Sequence, residues 1–195
     1  MAIQKSEEKR EKILQAGIKL FSENGYSKAT IKDISKEAGV SFGTVFTYFE
    51  NKDTLFEASV LEPLEDMKAV LLSQAEEQDD VAAQIKETIK LHMTYFAQQG
   101  TYARMVQYVI GQRDRFADLF NELNDFTEEF QESLEPLIRK GQEQGVLIEL
   151  DPNNVAITYL AYINGVRLTT IDDIDQLPSW NMFMDHAYLL FGPKQ

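Results

Sequence analysis

The stretch from Thr30 to Phe49, TIKDISKEAGVSFGTVFTYF, has room for little besides two short helices joined by a tight turn. Thr30 is a favoured N-cap, and Ile31, Ile34 and Ala38 follow at the i, i+3, i+7 spacing of one helical face. Gly39 ends that helix, because its C-terminal cap calls for a left-handed backbone that glycine adopts cheaply. Val40 plugs the turn with an apolar side chain. Ser41 caps a second helix with Val45 and Phe49 on its inner face.

The outer face of this second helix carries Phe42, Gly43, Thr44, Thr47 and Tyr48. A helix fits the major groove of DNA, and in a helix-turn-helix the second helix enters it while the first crosses the backbone. Gly43 removes a side chain where close approach is needed. Thr44, Thr47 and Tyr48 carry hydroxyls suited to phosphate oxygens. Phe42 puts an apolar ring on a face open to water, where it can lie against a thymine methyl. Lys52, just past the helix, is placed for a phosphate ion pair. The alternative reading of the same pattern is an ordinary helical hairpin with a polar outside.

A net charge of −13 argues at first against a polyanionic partner, but the charge is unevenly spread. Residues 1–56 hold nine Lys or Arg and eight Asp or Glu, whereas the rest holds ten and twenty-four. A nearly neutral head tolerates phosphates while an acidic body repels them, which favours one orientation on DNA.

There are no cysteines, which excludes disulfides, thiolate metal sites and cysteine catalysis. The charged N-terminus, MAIQKSEEKREK, has no apolar signal region, and no run is apolar enough to span a membrane; the expectation is a cytoplasmic protein. No cofactor and no metal site are expected. The two histidines, His92 and His186, have no ligand-spaced carboxylates, and no nucleophile motif occurs. The acidic group Asp172, Asp173 and Asp175 reads as a solvated loop.

Helical periodicity continues through the chain. A first helix over residues 6–23 carries Leu14, Ile18 and Phe21 on one stripe and stops at Asn24-Gly25. A longer helix opens at Asn51 or Lys52, with Phe56, Val60, Leu64, Met67 and Leu71 in register. Pro63 inside it predicts a kink near Ser59 or the start of a new helix. Further helices are predicted over residues 80–98, 101–111, 121–144, 152–170 and 180–191. Asp79 or Asp80, Gly145, Pro152 and Leu177-Pro178-Ser179 supply their boundaries. The predicted class is all-α: an N-terminal three-helix head over residues 1–51 and a larger helical domain over residues 52–195.

The run Phe21, Gly25-Tyr26, Thr30, Ile34, Ala38-Gly39-Val40-Ser41, Gly43-Thr44, Tyr48-Phe49, Lys52 and Leu55 resembles the signature of TetR-type (TetR/AcrR) transcriptional regulators over roughly residues 10–56. Beyond it, only length and helical character match. The resemblance implies an all-α homodimer whose heads bind a palindromic operator and whose larger domains bind a small molecule and dimerise, with repression as the family default. It places Phe42, Gly43 and Phe46 at base-contacting positions and Thr44, Thr47, Tyr48 and Lys52 at backbone-contacting ones. With the caps Thr30 and Ser41, these form the expected DNA-binding set. Position 47 departs from the pattern: it is often aromatic in relatives and is Thr here.

For the larger domain, the apolar last two helices are expected to meet their copies in a partner. The residues concerned are Tyr159, Tyr162, Ile163, Val166, Trp180, Phe183, Met184 and Phe191. An effector pocket is expected at His92, Tyr95, Phe96, Arg104, Tyr108 and Phe130, where apolar groups mix with a few polar tips. Each of these also reads as plain helical core. Two other functions stay open on sequence alone: a structural DNA binder without an effector, and a protein-interaction module using the acidic body.

Overall fold

The computed structural model describes residues 2–169 and 180–194, and within them the periodic stripes are helix faces. Among the described residues the elements are α1 (Ala2–Lys28), α2 (Ile31–Glu37), α3 (Phe42–Tyr48), α4 (Lys52–Leu71), α5 (Val81–Gln98), α6 (Gly100–Gly111), α7 (Ala117–Glu143), α8 (Pro152–Thr169) and α9 (Trp180–Leu189). Extended pairing among them is limited to one isolated antiparallel bridge, Leu147 with Pro193. None of the described helices is long and apolar enough to cross a membrane. The predicted start of the last helix at Leu177-Pro178-Ser179, and the acidic group at 172–175, lie outside the described residues.

Two compact units divide the chain. The first comprises residues 1–65 and 101–122, and the second residues 66–100 and 123–195. Both α4 and α7 run from one unit into the other.

In the first unit, α1 presents Ile13, Leu14, Ile18 and Phe21, all at most 4% exposed, and α2 and α3 bury Ile34 and Val45. Backbone close to α4 is possible because Gly17 has no side chain: a Cβ there would meet the Ser59 Oγ at 2.9 Å. Arg10 on α1 makes a two-pronged ion pair with Glu62 on α4. The rings of Phe21 and Tyr26 both pack against Phe56, with centroids 5.1 and 5.0 Å away, and Phe116 closes on Phe56 at 4.8 Å. Tyr102 on α6 donates its hydroxyl to the Val60 carbonyl at 2.8 Å.

In the second unit, α5 buries Val81, Ile85, Ile89, Met93 and Phe96, and α7 buries Phe126, Phe130, Leu134 and Ile138. Tyr159 of α8 stacks on Phe130 and packs against Phe191. The α4–α5 connection is held from within by three buried polar side chains on one face of α5: Gln84, Thr88 and His92, at i, i+4, i+8 spacing. Thr88 accepts the Ala75 N–H, Gln84 bonds Gln78 and Ala75, and His92 bonds the Ser73 carbonyl.

Several boundaries differ from the sequence-based expectation. The first helix begins at Ala2 rather than Ser6; the expected break is present at Gly25, whose φ of 71° and ψ of 162° are not helical, but helix resumes beyond it as far as Lys28. Pro63 starts no new helix; α4 continues through it, and the Ser59 hydroxyl bonds the Leu55 carbonyl at 2.7 Å. Residues 117–120 join α7, which also contains Pro136. The last helix ends at Leu189, two residues short of Phe191.

Candidate nucleic-acid interface

Two capping hydroxyls set the geometry of the α2–α3 hairpin. The Thr30 side chain accepts the Asp33 N–H at 3.1 Å, and the Ser41 side chain accepts the Thr44 N–H at 3.2 Å. Each satisfies a backbone donor that a helix start otherwise leaves unpaired. Gly39 sits at φ 67° between them, with its N–H on the Lys36 carbonyl, and Val40 closes the turn onto the Ser35 carbonyl.

On the outer face of α3, Phe42 is 54% and Phe46 43% exposed, large fractions for phenyl groups. Their rings pair edge to face with centroids 5.1 Å apart. Between them Gly43 faces open space: a Cβ built there meets no other group within 4 Å. A glycine inside a helix costs about 1 kcal/mol relative to alanine, and no packing within the protein calls for it here. The hydroxyls are already engaged. Ser41 and Thr44 bond each other at 2.7 Å, Thr47 reaches the Gly43 carbonyl at 3.4 Å, and Tyr48 meets Ser6 at 3.2 Å. That last contact brings the start of α1, with exposed Lys5 and Lys9, to the end of α3. Sequence reasoning leaves these two lysines unassigned; the charge run at the N-terminus is their only signal. On α2, Lys32 and Lys36 are exposed as well.

Lys52 is not simply held out to solvent. Its ammonium lies over the Tyr26 ring, 4.4 Å from the centroid, and Arg115 lies over the same ring at 4.9 Å. Burial lowers the Lys52 pKa, with Asp53 opposing and Arg115 adding to the effect. The Tyr26 hydroxyl donates to Asp53; that bond, reinforced by burial, pushes its pKa up to about 12. Tyr26, Asp53, Phe56, Glu57, Arg115 and Phe116 contribute to a cleft of about 300 Å³ within the first unit. Residues from three separate stretches build it, and no periodic pattern marks such a site.

The residues proposed from sequence for an effector fall into different surroundings. Arg104 and Tyr108 belong to the first unit and His92, Tyr95, Phe96 and Phe130 to the second. Arg104 is exposed and reaches Thr101, while Tyr108 is half-buried against Phe56 and Phe116. Phe96 and Phe130 are core, and Tyr95 is half-buried. His92 is fully buried with both ring nitrogens near protein partners, the Ser73 carbonyl and the Tyr159 hydroxyl. A histidine so engaged serves the loop after α4 rather than offering an open hydrogen bond.

The residues proposed for dimerisation divide likewise. Tyr159, Ile163 and Phe191, at most 1% exposed, and Val166 at 8% pack inside the single chain instead of standing on its surface. Tyr162, Trp180, Phe183 and Met184 are half-buried, with the Tyr162 hydroxyl on the Phe183 carbonyl. The large apolar groups that α8 and α9 do expose are Ile157, Leu168, Met182 and Leu189. Sequence periodicity finds the helices and selects the inward stripe.

Comparison with known proteins bears directly on the hairpin. Residues 13–59 match the family model of bacterial regulatory proteins, tetR family. The chain is 25% identical over 141 residues to the fatty acid metabolism regulator protein of Bacillus subtilis, covering 70% of each chain. It is 26% identical over 195 residues to the HTH-type transcriptional regulator TtgR of Pseudomonas putida, covering 93% of this chain and 90% of the relative. Its fold is shared with the TetR family transcriptional regulator PfmR from Thermus thermophilus: the TM-score is 0.73 at 21% identity, over 94% of this chain and 99% of that one. These relatives are regulators, not enzymes.

Proposed function

Because this chain belongs to the TetR-type family of transcriptional regulators, we propose that it binds a palindromic operator as a homodimer and represses transcription until a small molecule lowers its DNA affinity. The observation that carries the reading is the outer face of α3. Two exposed phenyl groups flank a glycine that faces open space, on a helix capped and held by α2. That surface suits close approach to a groove. Thr30, Ser41, Thr44, Thr47, Tyr48 and Lys52 supply contacts to the DNA backbone, and Phe42, Gly43 and Phe46 face the bases. Residues 1–51 act as the reading head and residues 52–195 as the effector and dimerisation domain, in the cytoplasm.

Dimerisation uses α8 and α9, whose exposed Ile157, Leu168, Met182 and Leu189 support a shared apolar face. Two heads are needed because two-fold dimers read paired half-sites about one helical turn, or multiples of it, apart. For the effector, the name of the Bacillus subtilis relative supports a fatty-acyl compound. It must bind two arrangements of the dimer unequally to act at all. The helix α4, which leaves the head and continues into the second unit, transmits the difference. Pro63→Ala then alters the response to effector more than operator affinity in the free protein.

Selection of bound sequences from a random duplex pool tests the function. A palindromic consensus, lost in a Thr44, Thr47 and Tyr48 triple alanine variant, is the expected result. Absence of any enrichment at low salt would sink it. Release of the selected operator by added fatty acids tests the effector class, and unaltered binding across chain lengths would remove that class.

A further inference from the structure

Base edges are read by Ser and Thr hydroxyls without strong preference and, more selectively, by six residue types: Arg and Lys on guanine, Asn and Gln on adenine, Asp and Glu on cytosine. The recognition helix, Phe42-Gly43-Thr44-Val45-Phe46-Thr47-Tyr48, contains none of these six residue types. Its hydroxyls bond within the protein: Thr44 to Ser41, Thr47 to the Gly43 carbonyl, and Tyr48 to Ser6. Val45 is buried. What the helix offers outward is the Phe42–Phe46 ring pair, with an open backbone at Gly43 that lets the pair sit deep.

In the major groove, the apolar feature of a base pair is the C5 methyl group of thymine. The two ring centroids are 5.1 Å apart, and bases on one strand rise by about 3.4 Å. One ring pair therefore spans neighbouring base positions. We propose that the Phe42–Phe46 pair reads pyrimidine 5-methyl groups, so that each half-site is specified at α3 by the methyl and not by the hydrogen-bonding edge of the base. The inference rests on the reading that α3 enters the major groove. It goes further by naming the chemical group recognised. It also makes an unusual demand: a base with the wrong edge and the right methyl must be accepted.

Two base analogues separate methyl from edge. Uracil keeps the edge of thymine and lacks the methyl; 5-methylcytosine keeps the methyl and carries the edge of cytosine. The experiment uses the full-length protein and the duplex obtained by selection, with affinity measured by fluorescence anisotropy at fixed salt. Each thymine is replaced in turn by uracil, and each T·A pair by 5-methylcytosine·G or by C·G. At the contacted positions uracil is expected to weaken binding about fourfold per methyl lost, the value of one buried methyl-sized group. There 5-methylcytosine·G is expected to bind within about twofold of T·A, while C·G shows the full loss. In the Phe42→Ala, Phe46→Ala double variant the thymine–uracil gap should vanish. Both rings are exposed, so the fold is not at stake, and helicity measured by circular dichroism checks that.

Uracil binding as well as thymine at every position would overturn the proposal. So would 5-methylcytosine behaving like cytosine, or a gap that persists without the two rings. In each of those outcomes a specific duplex still binds, and the regulator reading stands. If no duplex is enriched in the first place, that reading falls, and the methyl proposal with it.

Discussion

The hydroxyl of Tyr159 lies 3.4 Å from the Nδ1 of His92, and the other ring nitrogen of His92 lies 3.0 Å from the Ser73 carbonyl. A carbonyl can only accept, so Nε2 carries the proton and donates, and Nδ1 is left to accept from Tyr159. Both groups are buried, and their rings stack with centroids 6.0 Å apart. Burial pushes the Tyr159 hydroxyl up and the imidazole down, the latter to about 4, so both stay neutral at pH 7.

That arrangement ties stability to pH. In the unfolded chain His92 regains its ordinary value near 6.5, so between about 4 and 6.5 the unfolded state binds the extra proton. Stability is therefore full above pH 6.5 and is lost as pH falls toward 4. Integrated over the shift, the loss is about 3 kcal/mol. Urea unfolding of the wild type and of His92→Gln from pH 7 to pH 4 checks it. The wild type should lose more with acid, and equal pH profiles would refute the assignment.

Gly25 is held by its backbone and by a neighbour. Its φ of 71° with ψ of 162° belongs to a region that is essentially glycine's alone, and a Cβ there would meet Cε2 of Tyr108 at 2.8 Å. Gly25→Ala should destabilise the first unit by about 1–3 kcal/mol from the backbone alone, with the ring contact adding to it. Thermal unfolding of Gly25→Ala, alone and with Tyr108→Ala, separates the two parts. Full rescue by Tyr108→Ala would show that the backbone costs nothing.

Lys52 and Phe42 should differ in kind. Lys52→Ala removes a charge that reads no sequence, so it should weaken every duplex alike and lower the salt slope of binding by about one. Phe42→Ala should leave that slope unchanged while flattening preference at one base position, at a cost of about 1–3 kcal/mol. Binding isotherms across a salt series decide the matter. An unchanged slope in Lys52→Ala would mean that the ammonium stays on the Tyr26 ring and out of the phosphate contacts.

Local signals explain what can be read in advance. Stripes at i, i+3 and i+4 reveal which helix face is apolar, and Thr30, Ser41, Asp80 and Gly145 mark ends because capping is a short-range need. The outer face of α3 is legible for the same reason. Which groups an apolar face meets is a long-range matter. So the sequence leaves Tyr159 and Phe191 open between a partner interface and the core, and it is the packing that shows them filling the core of their own chain. Lys52 reads as a free ammonium because nothing local shows its Tyr26 partner, which is brought to it by the break at Gly25. The joining of residues 101–122 to the head's compact unit leaves no periodic trace. His92 looks from sequence like a polar tip in a pocket, yet it shares one face of α5 with Gln84 and Thr88, and all three bond the loop after α4.

The middle member of that row gives the cleanest test of what the row does. Thr88 is 1% exposed; its Oγ1 accepts the Ala75 N–H at 3.1 Å and donates to the Gln84 carbonyl at 2.9 Å. Valine matches threonine in shape but offers neither lone pair nor proton. Thr88→Val therefore leaves the Ala75 N–H without its partner, at a cost of about 1–3 kcal/mol, with little change in packing. Because the same loop is also held through Gln84 and His92, the effect should be local. Hydrogen exchange should speed up at residues 73–78 while the α7 core around Phe130 keeps its protection. Uniform acceleration across the second unit would show that Thr88 supports the whole unit. No acceleration at Ala75 would show that water replaces the hydroxyl at no cost.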